Sequence, residues 1–260
     1  MSLTITLVQS TLHWESIDAN LKMFDEKLLD LDNTDVIILP EMFTTGFSMN
    51  VESLAEEMED SKGIVWMQEK AKELNAVVTG SLIIKEGENY FNRLLWVEPN
   101  GKQCHYDKKH LFTMAKEDLH FTGGTEKLIV DYKGWKIAPF ICYDLRFPAW
   151  CRNLEDYDLA FYVANWPAKR SFHWRSLLTA RAIENQAYII GVNRVGEDGK
   201  GFAYSGDSSV LSPSGALLYH QANEEAIYTI NLSKTHLADV RKEYPFIGDR
   251  DNYSFHNTPQ

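Results

Sequence analysis

Apolar and polar positions alternate through residues 4–9, and the period then changes, with Ile17, Leu21, Phe24 and Leu28 falling at helical spacing. A short, continuously apolar run follows at 35–39 and stops at Pro40, the pattern of a strand covered on both faces. Ile64, Met67, Ala71 and Leu74 predict a second helix. Residues 76–84 and 91–97 predict strands joined across Glu86-Gly87-Glu88-Asn89, with a further turn at Pro99-Asn100-Gly101. Segments 128–132 and 135–141 flank Lys133-Gly134 as a tight hairpin, and 159–164 reads as a buried strand. Ser171 is placed to cap a helix whose inward face carries Leu177, Leu178, Ala182 and Ile183, after which 188–192 returns as a strand. The last third reads as strands only, at 207–211, 216–219 and 226–232, and the tail from about residue 234 is polar and aromatic.

βα units mixed with hairpins imply sheets with helices on one face and an apolar cover on the other, and a second sheet is the natural cover. The expectation is an α/β fold, a four-layer α-β-β-α sandwich of two mixed sheets. No linker, repeat or low-complexity tract divides the chain, so residues 1–260 are read as one domain.

Composition narrows the function. Hydrophobic residues at 44% and aromatics at 12% suffice for a large core, which disordered chains lack. The formal net charge of −11 opposes binding to phosphate backbones, so no nucleic-acid partner is expected. The first residues lack a charged then apolar leader, and no run approaches the ~20 apolar residues of a membrane span; a cytoplasmic protein with no membrane partner is expected. Three cysteines, Cys104, Cys142 and Cys151, cannot all pair, which leaves a reduced thiol available. No CxxC or HExxH spacing occurs, so neither a metal nor a cofactor is expected.

Three segments each end on a single reactive side chain. Residues 35–40 deliver Glu41, Tyr106-Asp107 delivers Lys108, and 135–141 delivers Cys142 at a strand-to-helix junction. Alone, a cysteine at a strand end is more often an inert core residue, a glutamate there a solvated carboxylate and a lysine a surface charge. Together they have a chemical logic. A free thiol with a pKa of about 8.5 needs a base or a nearby cation to become nucleophilic; Glu41 supplies the first and Lys108 the second. Attack on an amide carbonyl creates an oxyanion that Lys108 and the backbone N–H of Tyr143 would stabilise. Glu41 would then pass its proton to the leaving nitrogen and later activate water against a Cys142 thioester. Phe43, Phe47 and Trp166 would supply a partly dry, apolar surround, with Asn165 beside Trp166 at the same sheet edge. Arg146, Arg181 and Glu184 are read as buried ion pairs that brace the elbow, and Cys104 and Cys151 as bystanders.

Five motifs in order carry a resemblance that spans nearly the whole chain: Leu39-Pro40-Glu41-Met42-Phe43 with Gly46, Lys108-Lys109-His110-Leu111-Phe112, Cys142-Tyr143-Asp144-Leu145-Arg146-Phe147-Pro148, Ala180-Arg181-Ala182-Ile183-Glu184-Asn185, and Gly206-Asp207-Ser208-Ser209 with Pro213 and Gly215. On these the chain resembles the nitrilase superfamily of carbon-nitrogen hydrolases. The resemblance implies a catalytic triad of Glu41, Lys108 and Cys142, and the motif selects Lys108 rather than Lys109. Strand alternation independently lets only one of the two lysines face the thiol. Glu117, seven residues before Gly124, matches an additional acidic residue that holds the lysine and positions substrate; Asp118 and His120 stay unassigned. Within the superfamily the motifs look most like the omega-amidase branch, which deamidates 2-oxoglutaramate and 2-oxosuccinamate to 2-oxo diacids and ammonia. The partner implied is thus a small-molecule amide carrying a carboxylate, for which Arg170 and Arg175 are candidate counter-charges. Alternatives are an N-carbamoyl amino acid hydrolase, an aliphatic amidase, or an inactive binding subunit. A homodimer is also implied, with the tail from about 234 reaching across it; Tyr244-Pro245-Phe246-Ile247 fit such an interface and equally fit packing on their own chain.

Overall fold

The alternating first segment and the apolar run after it become neighbouring parallel strands. In the computed structural model, which describes residues 1–255, the first half consists of Ser2–Gln9 (β1), Ile17–Leu28 (α1), Val36–Ile38 (β2), Val51–Leu54 (α2), Glu56–Glu57 (β3), Lys62–Leu74 (α3), Val77–Glu86 (β4), Asn89–Val97 (β5) and Gln103–Asp107 (β6). The second half runs Val130–Tyr132 (β7), Trp135–Ile141 (β8), Pro148–Cys151 (α4), Leu159–Ala164 (β9), Ser171–Asn185 (α5), Tyr188–Asn193 (β10), Val195–Glu197 (β11), Ala203–Leu211 (β12), Leu217–Ala222 (β13), Ala226–Ser233 (β14) and Lys234–Glu243 (α6).

The strands form two mixed sheets, ordered β14-β1-β2-β4-β5-β6 and β11-β12-β10-β9-β8-β7, with β3 added on β4 and β13 on β12. Alternation within β2 explains how they stack. Val36 and Ile38 join Ile5 and Leu7, their partners on β1, in the core between the sheets, while Ile37 faces the outer cluster with Phe24, Ile64 and Met67 of α1 and α3. On the far side Trp174, Leu178 and Ala182 of α5 cover the second sheet. The result is the expected four-layer α-β-β-α sandwich. Local chemistry fixes α3: the Ser61 hydroxyl accepts from the Ile64 N–H at 3.0 Å, and Asn75 closes it in the left-handed conformation.

Several expectations shift. Ser171 is the first residue of α5 rather than its cap, because a 3-10 turn at Ala168–Arg170 runs straight into the helix. The buried face of α5 is Trp174, Leu178, Arg181, Ala182 and Asn185, and Ile183 is 54% exposed. The tail, read only as polar and aromatic, opens with a helix: α6 is capped by Ser233 and buries Leu237 and Val240. Beyond it, the Gln186 side chain bonds both the Tyr244 carbonyl and the Ile247 N–H, and Phe255 packs on Trp150. Residues 256–260, also assigned to the tail, lie outside the described residues.

Candidate active site

Each predicted strand end delivers its side chain to one edge of the sandwich. β2 ends at Ile38 and continues through Leu39-Pro40 to present Glu41, which is followed by Met42 at φ 44°. β6 ends at Asp107 and presents Lys108, whose N–H donates to the Asn92 carbonyl at 3.0 Å. β8 ends at Ile141, and Cys142 opens a one-turn 3-10 helix, Cys142–Arg146, with φ 44°. Such a left-handed conformation costs a non-glycine residue about 1–3 kcal/mol and persists only where the surroundings impose it. Here Asp144 imposes it. Its carboxylate accepts from the Ile141 N–H (3.1 Å), the His110 N–H (3.0 Å) and the Tyr106 hydroxyl (2.7 Å), and lies 2.8 Å from His110 Nδ1, tying the elbow to β6. Arg181 completes the brace: it donates to the Leu145 carbonyl at 2.6 Å and pairs with Glu184 at 2.9 Å.

Lys108 is completely buried, as are Glu41 and Glu117. Its ammonium donates to Glu41 Oε1 at 2.8 Å and to both Glu117 oxygens at 3.0 Å. Asn92 Nδ2 bridges the same two carboxylates, at 2.8 Å to Glu41 and 3.3 Å to Glu117. The other oxygen of Glu41 accepts from the Asn165 N–H at 2.7 Å, and Asn165 Nδ2 donates to the Glu41 carbonyl at 2.6 Å. Asn193 in turn holds Trp166 through its N–H (2.8 Å) and carbonyl (3.0 Å).

Burial alone would drive Lys108 toward the neutral form, but Glu117 and Glu41 outweigh it and hold the ammonium above its ordinary range. Glu117 is raised by burial against the pull of Lys108. The Cys142 thiol is pushed well above its ordinary pKa, by burial first and by the Glu41 carboxylate second, with Lys108 opposing. The lysine therefore does not leave a standing thiolate in the resting site. With both acids ionised, two carboxylates and one ammonium leave a net negative charge beside the sulfur, so the thiol proton has to leave as the bond to carbon forms.

Lys108 and Glu117 sit on one loop whose ends are tied together. The Gly124 N–H donates to the Lys108 carbonyl at 2.9 Å, and a Cβ at Gly124 would come within 2.1 Å of the Asp107 carbonyl oxygen. Phe112 N–H donates to Glu117 at 2.6 Å across the same loop. The loop tip, with Met114, Ala115 and Lys116, borders a cavity of about 380 Å³. Cys142, Tyr143, Phe47, Phe112, Asn165, Trp166 and Pro167 line it, as do Arg146, Arg170 and, from the hairpin opposite, Asp198, Lys200, Phe202 and Tyr204. Tyr143 is the second residue of the 3-10 turn, where an N–H has no acceptor within the helix.

The structure thus brings Glu41, Lys108, Glu117 and Cys142 together and sets Phe47, Tyr143, Asn165 and Trp166 on the cavity wall. Phe43 is a correction. It packs between the rings of Phe24 (5.7 Å) and Trp66 (5.8 Å) in the outer layer, because the left-handed turn at Met42 breaks the alternation that would have put it beside Glu41. Arg146 is another: among the described residues it forms no ion pair and instead lies over the Trp166 ring at 4.7 Å. Arg175 pairs with Asp207 at 3.7 Å, away from the cavity, whereas Arg170 lines it. Asp118 and His120 are exposed, and Lys109 turns away to the Trp150 ring at 5.4 Å. Cys151 is buried against the Asp144 carbonyl at 3.2 Å, and Cys104 is half-buried on β6. Asn92, Asp144 and Asn193 escaped the sequence reading; a polar residue closing the apolar run 188–192 was the available signal for Asn193.

The description "Carbon-nitrogen hydrolase" belongs to the family model that matches residues 4–241. The chain is 48% identical to the omega-amidase YafV of Escherichia coli strain K12 over 96% of its own length and 98% of that protein's. It is 32% identical to the 2-oxoglutaramate amidase of Bacillus subtilis strain 168, again over 96% and 98%. Among solved structures, XC1258 from Xanthomonas campestris, described as a CN-hydrolase superfamily protein with an arsenic adduct in its active site, superposes with a TM-score of 0.95 at 40% identity, covering 98% of this chain and all of that one. A four-layer sandwich, a match to the family model over most of the chain and full-length relatives all lead to one conclusion: the chain belongs to the carbon-nitrogen hydrolase family.

Proposed function

We propose that the protein is an omega-amidase, cleaving the terminal carboxamide of a 2-oxo acid such as 2-oxoglutaramate or 2-oxosuccinamate to carboxylate and ammonia. The observation that carries this is a buried Lys108 held between Glu41 and Glu117 beside Cys142, on the wall of a cavity sized for a small acid. Full-length likeness to proteins named for this activity supports the same reading.

Glu41, Lys108 and Cys142 are assigned the catalytic roles. As Cys142 Sγ bonds to the amide carbon, its proton moves to Glu41 and the carbonyl oxygen becomes an oxyanion facing Lys108 and the Tyr143 N–H. The C–N bond then breaks, Glu41 returns the proton to nitrogen, and ammonia leaves a thioester. Water attacks that thioester, giving one proton to Glu41; the acid is released, and the sulfur recovers its proton. Glu117 keeps Lys108 charged and placed throughout. Because Glu41 shuttles a proton within a dry site, each transfer avoids exchange with bulk water.

The reading includes a cytoplasmic location and a homodimer. Among the described residues no helix is long and apolar enough to cross a membrane. Phe172, Ile183, Tyr244 and Phe246, exposed on or beside α5, support an apolar contact between copies; light scattering at twice the chain mass tests it. For the chemistry, ammonia release from 2-oxoglutaramate is measured for wild type, Cys142→Ala, Lys108→Ala and Lys109→Ala. Activity is expected in the first and last only. Turnover that survives Cys142→Ala would remove the thioester route.

A further inference from the structure

Among the described residues the Arg146 guanidinium makes one hydrogen bond, between its Nη2 and His173 Nδ1 at 3.1 Å. The two partners come from different elements: Arg146 closes the 3-10 turn that begins at Cys142, and His173 lies in the first turn of α5. The same guanidinium lies over the Trp166 ring at 4.7 Å and lines the cavity that holds Cys142. A guanidinium donates from every nitrogen and has no acceptor, so in this contact the imidazole has to accept. The bond therefore requires a neutral ring with a bare Nδ1 and its hydrogen on Nε2.

Protonation would put a hydrogen on Nδ1 against the N–H of a side chain that stays charged, turning a hydrogen bond into a repulsion between two cations. No acid stands by to absorb the new charge: among the described residues no carboxylate pairs with His173, and the acids on the elements packed there are engaged elsewhere. Asp144 is held by His110 and the Tyr106 hydroxyl, Glu184 by Arg181, and Asp207 by His220 at 2.9 Å and Arg175 at 3.7 Å. Asp198, on the cavity wall, accepts from the Tyr204 hydroxyl at 2.8 Å. The other charges beside the ring are the cations Lys169 and Arg170, on the 3-10 turn that leads into α5, and the turn after Cys142 adds only the Tyr143 phenol. The surroundings are cationic enough that the Arg146 guanidinium is itself lowered, by burial first and by the Arg170 charge second.

We propose that His173 is a positioning residue, holding Arg146 flat on Trp166 at the cavity wall only while its ring is neutral, so that acid frees the arginine and disturbs the wall that receives the substrate. This rests on the amidase reading of the same cavity and adds a pH dependence located outside the reaction centre. Histidine is the side chain whose charge ordinarily changes between about pH 5 and 8, and the neutral form prevails at the upper end. His173 itself bonds none of Glu41, Lys108 and Cys142, so its titration is read in KM rather than in kcat.

The test measures ammonia release from 2-oxoglutaramate between about pH 5.5 and 8 for wild type, His173→Asn and His173→Leu. Asparagine keeps an acceptor near the place of Nδ1 and has no titrating proton; leucine keeps neither. Between about pH 8 and pH 5.5 the wild-type KM is expected to rise by about 3- to 10-fold relative to that of His173→Asn, the scale of one lost hydrogen bond, while the ratio of their kcat values stays within about twofold. His173→Leu is expected to show the raised KM at every pH. Parallel KM profiles for wild type and His173→Asn, or a wild-type KM in His173→Leu at the upper pH, would overturn the proposal. A readout without turnover separates this from failure of the amidase reading: the ring nitrogen-15 spectrum of His173 in Cys142→Ala protein at about pH 8. A bare Nδ1 whose resonance moves on adding Arg146→Gln supports the contact even if no amide is hydrolysed. A hydrogen on Nδ1, or a resonance that the substitution leaves in place, sinks it.

Discussion

Replacing Lys108 with Met removes a charge and keeps an unbranched side chain of nearly the same length, which isolates the electrostatic role of the residue. In the wild type the ammonium makes contacts of 2.8, 3.0 and 3.0 Å to two fully buried carboxylates. Without it, Glu41 and Glu117 face each other with only Asn92 Nδ2 between them. Removing one partner from a buried ion pair costs about 3–5 kcal/mol, because the remaining charge stays desolvated and unpaired. For a domain of this size that corresponds to a fall in Tm of about 6–20 °C, read by circular dichroism. The defect has a pH signature. Glu117 already has a raised carboxyl pKa from burial, and losing Lys108 raises it further. A raised folded pKa gives stability that is complete below the unfolded value of about 4.3 and is lost as pH rises through the folded value. The Lys108→Met variant should therefore be closer to wild type at about pH 5 than at about pH 8, and adding Glu117→Gln should recover much of the loss at the higher pH. A Lys108→Met protein as stable as wild type at about pH 8 would refute the claim that the lysine neutralises a buried acidic pair.

Asn92→Leu removes the side chain that bridges both carboxylates without touching the cavity wall; kcat on the preferred amide should fall by about 10- to 100-fold with little change in KM, measured by steady-state ammonia release. Cys142→Gly should be more stable than Cys142→Ala by about 0.5–1 kcal/mol in urea unfolding, since relief of the left-handed conformation (about 1–2 kcal/mol) exceeds the extra freedom of the unfolded glycine chain. Alkylation of Cys142 by iodoacetamide, followed by mass spectrometry, should be slow near neutral pH and still accelerating at about pH 9, because the thiol is held above its ordinary range, and Glu117→Gln should shift that profile to lower pH.

Residues whose placement depends only on local pattern were legible in the chain. Glu41 and Cys142 each follow an apolar run, and a strand covered on both faces has to release its polar successor at the sheet edge; Lys108 instead follows the polar, half-exposed edge strand β6 and was legible only from its motif. Arg181 and Glu184 were read as an ion pair bracing the elbow, and they pair at 2.9 Å. What failed depended on backbone turns that apolar periodicity does not encode. Phe43 was misplaced because Met42 is left-handed, and Arg146 because a 3-10 turn after Cys142 swings its guanidinium over Trp166 rather than toward an acid. Helix α6 was missed because only Leu237 and Val240 of its ten residues are buried, too narrow a stripe to register against a polar background. Asn92 was overlooked because its value lies in partners 51 and 25 residues away, which no local window connects.

The knot that Gly124 makes with Asp107 and Lys108 ties two jobs to one stretch of chain. The ammonium stands at the root of the loop beside β6, whereas its acidic partner Glu117 directly follows the tip carrying Met114 and Lys116 at the cavity border and is bonded back to it through the Phe112 N–H. A change in the course of the tip therefore reshapes the cavity border and the grip on Lys108 together, and Gly124 is where that coupling is anchored.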